Sequence, residues 1–262
     1  MELSQLSEQV AQIQWCHSID LGHGIVTPGL SQTRSPTAMD LPDMSAKTVL
    51  DIGAWDGLNS FLAERLGASR VVALDHYAWG VDMVARNDYW DECKKVKRYP
   101  DHNLDESRFW REDLPGKAGF DLAREVLGSA VKDVTGDFMT MDLEPLGTFD
   151  VVLFLGVLYH LREPLKALER VRSLTKGVAV IETSAIEIPE MSDQALIRFY
   201  PGDELDGDFG NYFALSAAAL VGLAKAAGFT SVELKTFPPP RPRGFRRDKG
   251  PRVYRLLAHL FA

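Results

Sequence analysis

Short, nearly unbroken apolar runs recur along this chain, separated by stretches in which apolar residues return every third or fourth position. "TVLDIG", "RVVALD", "FDVVLFLG" and "GVAVIET" are of the first kind, rich in β-branched residues. "GLNSFLAERLG", "FDLAREVLG", "PLKALERVRSLT" and "SAAALVGLAKAAGF" are of the second. The first pattern predicts strands buried on both faces and the second predicts amphipathic helices. With "VKDVTGD", "SVELKTF" and "VYRLLAHL" as further strands, the alternation predicts an α/β fold, a mostly parallel sheet with helices on both faces. The opening "ELSQLSEQVAQIQW" reads as a helix, and "DLGHGIVTPGLSQTRSP" after it as a loop punctuated by Gly and Pro. Residues 1–46 are thus expected as a helical and loop extension, and 47–262 as one α/β domain.

The interval between "RVVALD" and "VKDVTGD" is longer than the alternation needs. An insertion is predicted at about 78–118, crowded with Trp, Tyr, Phe and charge. Long excursions in compact domains commonly serve as lids or binding loops. Trp79, Tyr89, Trp90 and Trp110 are therefore candidates for substrate recognition, the alternative being that they form the insertion's own core.

The stretch "VLDIGAWDGLNS" carries the first chemical content. Ligands of open α/β sheets sit outside the carboxyl ends of the strands. Asp51 closes the first strand, Gly53, Ala54 and Gly57 lie in the turn after it, and Asp75 ends the second strand with His76 following. A carboxylate at Asp75 suits the two hydroxyls of a ribose. Dinucleotide turns read G-x-G-x-x-G and hold a pyrophosphate on backbone N–H groups. Here the order is D-x-G-x-x-x-G, and an acid facing a pyrophosphate would repel it. Facing an ammonium and a sulfonium, it would attract them, which points to S-adenosylmethionine rather than a nicotinamide nucleotide. Asp137 and Phe138, after the third strand, suit the adenine amino group and ring. The fourth strand leads out to Leu155, Gly156, Tyr159 and His160, where a methyl group would be presented.

Composition narrows the partners. The net charge of −8 argues against a protein that coats nucleic acid. The stretch "RPRGFRRDKGPRVYR", 241–255, carries seven basic residues and one acid, so it is +6 and the remainder −14. It is either a solvated loop or a clamp for an anionic substrate. Cys16 and Cys93 stand far apart, which indicates neither a disulfide framework nor a metal site. No charged-then-apolar leader opens the chain, and "VVLFLGVLYHL" is too short to span a bilayer, so a cytoplasmic protein without a membrane partner is expected.

Taken together, "LDIGAWDG", "VVALD", "FDVVLFLGVLYHLREPLKALE", "VAVIET" and "FYPGDELDGDFGNYFALSAAALVGLAKAAGF" resemble the class I S-adenosylmethionine-dependent methyltransferases. Within them the chain is similar to the tRNA wobble-uridine carboxymethyltransferase family and its small-molecule relatives, chiefly through "GVLYHLREPL" and "NYFALSAAAL". The resemblance implies a Rossmann-like, seven-stranded sheet ending in an antiparallel hairpin. It implies that Asp51, Gly53 and Gly57 line the amino-acid end of the cofactor, Asp75 the ribose, Asp137 and Phe138 the adenine, and Leu155 and Tyr159 the sulfonium. Trp55 departs from the small residue such turns carry, so its ring is expected to point away from the methionine tail or to pack over it.

Members that transfer a carboxymethyl group use carboxy-S-adenosylmethionine, whose extra carboxylate needs cations and donors beside the sulfonium. Tyr159 matches the family tyrosine for this task. A family lysine has no counterpart around "QWCHSIDL", and a family tryptophan falls near Gly29. Arg34 stands in for a second lysine, and Arg252 for a C-terminal arginine in an alignment that slips by one residue. With that set incomplete, transfer of an ordinary methyl group to a small molecule, a sugar or biosynthetic intermediate, is the expected reaction. His160 is the candidate base, or else a hydrogen-bonding residue of its loop. Tyr159 is expected to orient substrate or cofactor, and Glu182 to contact substrate or cap its loop. The alternatives are tRNA modification, with "RPRGFRRDKGPR" gripping phosphates, and a partner-binding protein that keeps the fold without the chemistry.

Overall fold

The computed structural model describes residues 2–29, 40–236 and 251–262. Arg34 and the basic residues of 241–250, Arg246 and Arg247 among them, lie outside these. The chain divides into two compact units, Met1–Met141 and Asp142–Ala262.

The first unit begins with α1 (Leu3–Gln12) and continues through β1 (Thr48–Ile52), α2 (Leu58–Arg65) and β2 (Arg70–Asp75). Then come α3 (Tyr77–Gly80), α4 (Met83–Lys95), α5 (Leu104–Ser107), α6 (Ala118–Leu127) and β3 (Lys132–Thr135). Its strands are parallel, β2 pairing with β1 on one side and β3 on the other. Val49, Leu50, Val72, Ala73 and Leu74 are all buried, as the unbroken apolar runs require of strands covered on both faces. Gly128 ends α6 in the left-handed conformation.

The described residues of the 1–46 segment are part of this unit. Trp15 is buried, with Nε1 donating to the Val10 carbonyl at 3.0 Å, and Leu6 and Val10 fix the inner face of α1. The insertion is mostly helical. Asp82 caps α4 by accepting from the Ala85 N–H at 3.0 Å, a helix whose mixed surface pattern did not announce it.

The second unit holds β4 (Phe149–Leu155), α7 (Pro164–Leu174), β5 (Thr175–Glu187), β6 (Ile197–Phe199) and β7 (Phe213–Leu215). It closes with α8 (Ala217–Ala226), β8 (Ser231–Leu234) and β9 (Arg252–Phe261). The long strand β5 organises it. One edge pairs in parallel with β4 and then, at Ala185, with β7; the other pairs antiparallel with β9 from Val178–Phe261 to Glu187–Arg252. β8 and β9 form the expected antiparallel terminal pair. The seven expected strands are β1–β5, β8 and β9, and the described residues add the short antiparallel pair β6–β7. Ser216 caps α8 by accepting from the Ala219 N–H at 3.1 Å. Among the described residues no helix is long and apolar enough to cross a membrane.

Candidate functional site

In the first unit the turn after β1 is built on left-handed residues, Gly53 (φ 78°), Trp55 (47°) and Gly57 (86°). Gly57 is required twice over. Its φ resists any side chain, and a Cβ there would come within 2.5 Å of Phe61 and 2.7 Å of Phe120.

Four of the turn's backbone donors are already used within the protein. Gly53 and Ala54 donate to the Leu74 carbonyl at 2.8 and 3.3 Å, and Gly57 to the Ala54 carbonyl at 2.8 Å. Trp55 donates to Asp75 Oδ2 at 2.9 Å. These amides therefore form no cradle for a pyrophosphate, in contrast to a dinucleotide turn.

What the turn presents is carboxylate. Asp51, 1% exposed, accepts from Ser60 Oγ at 2.6 Å. Burial, the dominant influence, pushes its carboxyl up to about 6, while Ser60 and the charge of His17 pull it down and Asp75 pushes it further up. Asp75 accepts from the N–H groups of Trp55, His76 and Ala78, and burial raises its carboxyl too, against those three hydrogen bonds. Asn59, in the first turn of α2, has a buried Oδ1 with no hydrogen-bond partner. Acids suited to a cationic amino-acid end and a ribose, together with an orphaned polar atom at the helix start, fit the adenosyl cofactor expected here.

Other candidates of this unit fall into two groups. Asp137 accepts from the Met139 N–H at 2.8 Å and Thr140 Oγ1 at 2.7 Å, organising the loop after β3, with Phe138 largely buried beside it. The His76 ring stacks on Trp110 at 4.4 Å. Trp79 is fully buried and donates from Nε1 to the Trp55 carbonyl at 2.6 Å, so it props the turn from beneath instead of meeting substrate. Trp90, 4% exposed, packs under the Arg86 guanidinium at 3.9 Å and belongs to the insertion's core. Both are corrections to the substrate reading, and the reason is burial. Tyr89 and Trp110 stay half-buried, and Tyr89 lines a cleft of about 710 Å³ with Arg108, Phe109 and Arg111.

In the second unit three polar side chains converge above Gly156. A Cβ built there would lie 3.7 Å from Arg255 Nη2 and 3.9 Å from both Glu182 Oε2 and Tyr159 Oη. The Arg255 guanidinium forks onto both oxygens of Glu182, reaches Ser184 Oγ at 3.0 Å and lies 4.6 Å from the Tyr159 ring centre. Burial raises the Tyr159 phenol, opposed by Arg255 and assisted by Glu182 and Asp206, so it is a neutral donor at physiological pH and no base.

His160 is exposed, and its Nδ1 donates to the Gly210 carbonyl at 2.9 Å. That bond places the ring's lone pair on Nε2. Leu155 stands in register with Glu182 at the end of β4. Arg252 is a further correction. It pairs with Glu187, three residues along β9 from Arg255 and hence on the opposite face, and it is Arg255 that meets Tyr159. Strand alternation through "RVYRLLAHL", set against Glu182, was the signal available for Arg255.

A profile described as "Methyltransferase domain" matches residues 32–234. The chain belongs to this methyltransferase family. Two relatives are tRNA U34 carboxymethyltransferases. That of Edwardsiella ictaluri (strain 93-146) is 34% identical over 117 residues, 44% of this chain and 35% of the relative. That of Pectobacterium carotovorum subsp. carotovorum (strain PC1) is 33% identical over 117 residues, 44% and 34% of the two chains. The chain thus spans about a third of the length of the curated relatives it matches. Among solved structures, the N-terminal domain of EvdMO1 with SAH bound superposes with a TM-score of 0.65 at 18% identity, covering 100% of this chain and 98% of that one. The same domain in the presence of SAH and D-fucose gives 0.61 at 17%, covering 100% and 97%. At these identities the likeness establishes the fold, a Rossmann-like α/β architecture.

Proposed function

We propose that this protein transfers a methyl group from S-adenosylmethionine to a hydroxyl-bearing small molecule. The observation that carries the cofactor half is the turn after β1, where four backbone amides are used internally and the charged groups at the strand ends are the carboxylates Asp51 and Asp75. Asp51 would meet the ammonium, Asp75 the ribose, and Asp137 with Phe138 the adenine. When bound, the cofactor supplies an electrophilic methyl on a sulfonium, already a good leaving group. What remains for this chain is to align the acceptor and exclude water. Tyr159, a neutral phenol, would orient the acceptor, and Nε2 of His160 would accept the proton its hydroxyl loses.

The choice of group transferred rests on Arg255. Its guanidinium is already matched by Glu182, so the pair offers little net positive charge to a donor bearing an extra carboxylate. This favours methyl over carboxymethyl transfer. The sugar accompanying the EvdMO1 domain lends support to a hydroxyl acceptor. A second reading, carboxymethyl transfer to tRNA, is favoured by the Tyr159–Arg255 pair itself and by the names of the sequence relatives.

Incubation with methyl-labelled S-adenosylmethionine, bulk tRNA and a nucleotide-free metabolite extract tests the reading. Label is expected in a small molecule. Label in tRNA alone, or turnover only with carboxy-S-adenosylmethionine, would overturn it.

A further inference from the structure

The charged side chains in and flanking the turn after β1, namely Asp51, Asp56 and Asp75, are all acidic. The amino-acid end of an adenosylmethionine bears both an ammonium and a carboxylate. The acids suit the first and repel the second, so a cation is needed.

One is brought in from the N-terminal segment. Asp56, 1% exposed, accepts from the N–H groups of Cys16 at 3.0 Å and His17 at 2.7 Å, and its Oδ1 lies 2.5 Å from His17 Nδ1. The backbone behind the ring is fixed as well. The His17 carbonyl accepts from Thr27 Oγ1 at 2.7 Å, which in turn accepts from the Ile19 N–H at 2.7 Å. With Nδ1 bound to Asp56, the other nitrogen, Nε2, has only the Cys16 sulfur at 3.8 Å, a weak acceptor. The side chain keeps 15% of its surface open. Its charge reaches Asp51, whose carboxyl it helps to ionise.

We propose that His17 binds the carboxylate at the amino-acid end of the cofactor, donating through Nε2–H while Asp56 holds Nδ1. The proposal rests on the adenosyl-ligand reading above. The ring is protonated across the physiological range. Burial, the largest influence, opposes the charge, but hydrogen bonds and charge from Asp56 and Cys16 prevail and lift it to about 10. His17 and Asp56 thereby give a segment distant in sequence a direct part in cofactor binding.

The test is calorimetric titration of the full chain with S-adenosylhomocysteine and with 5′-methylthioadenosine, which keeps the adenosyl sulfur and lacks the amino-acid end. His17→Gln is expected to weaken the first by about 10- to 100-fold, the loss of one charge-assisted hydrogen bond, and to leave the second within about twofold. His17→Lys, which keeps a cation, is expected to retain most of the preference. Equal losses for both ligands, or undiminished binding of S-adenosylhomocysteine, would overturn the assignment. Binding of neither ligand to the unaltered chain would overturn the cofactor reading itself. Should the variants not fold, histidine side-chain 15N NMR of the unaltered chain decides. A ring N–H displaced by S-adenosylhomocysteine and not by 5′-methylthioadenosine supports the assignment, and no displaced ring N–H with either ligand refutes it.

Discussion

In the first unit the buried acids Asp51, Asp56 and Asp75 accept hydrogen bonds mostly from backbone N–H groups and from Ser60, with the His17 ring added at Asp56. In the second, Glu182 and Glu187 accept from the arginine side chains Arg255 and Arg252. A carboxylate tied to backbone is placed once, by the fold, and cannot retire without orphaning buried donors. A carboxylate tied to a flexible arginine can exchange that partner for a ligand. The first arrangement suits a site of fixed charge, and the second one whose arginine can be released to an anionic ligand.

The sharpest way to break this comparison is Asp75→Ala. It strands the N–H groups of Trp55, His76 and Ala78 and is expected to cost about 3 kcal/mol or more of stability, with S-adenosylhomocysteine binding lost in calorimetry. Stability near that of the unaltered chain would show the turn does not depend on this acid.

Glu182→Gln ranks next. Breaking a half-buried ion pair is expected to cost about 2 kcal/mol in denaturant unfolding. The same change frees Arg255 for an anionic donor, so binding of carboxy-S-adenosylmethionine relative to S-adenosylmethionine is expected to rise about tenfold. An unchanged ratio would remove Glu182 as the reason for preferring a methyl donor.

Titration separates the units further. Asp51, with its carboxyl at about 6 in the folded protein, must be ionised to meet an ammonium. Affinity for S-adenosylhomocysteine is therefore expected to fall as pH drops from 7.5 to 5.5, and Asp51→Asn to remove that slope. His17 has the opposite bearing on folding. Its folded value of about 10 lies above the usual histidine value near 6.5, so its stabilisation is complete below about 6.5 and lost as pH rises through about 10. The stability gap between the unaltered chain and His17→Gln is expected to narrow over that window, and a gap independent of pH would contradict the pairing with Asp56.

The smallest effect is expected at Trp55. Its φ of 47° is left-handed, so Trp55→Gly relieves strain of about 1 kcal/mol while adding unfolded-state entropy of similar size. A net stability change under about 1 kcal/mol is expected, and any larger loss would mean the ring itself holds the turn together.

Much of this molecule was written locally. The apolar runs "TVLDI", "RVVALD" and "FDVVLFL" became β1, β2 and β4 because a strand buried on both faces needs nothing beyond its own composition. The D-x-G-x-x-x-G order placed acids at the turn, and Gly57 was legible because it serves a backbone conformation. The pairs β6–β7 and the helix α4 were not, since three-residue strands and mixed surfaces carry too little periodicity. Trp79 and Trp90 misled because an aromatic residue reads the same whether it faces a ligand or a core.

What the sequence settled by itself was the order of elements and the sign of the charge at the turn, because periodicity and glycine geometry act between neighbouring residues. Only the tertiary structure decided that His17 closes on Asp56, thirty-nine residues away, and that Arg255 rather than Arg252 meets Tyr159. Both depend on which face of a strand or loop is turned toward a distant partner. Alternation along β9 separates Arg252 from Arg255, but which of the two faces Tyr159, and which loop closes on Asp56, is fixed by packing across the fold.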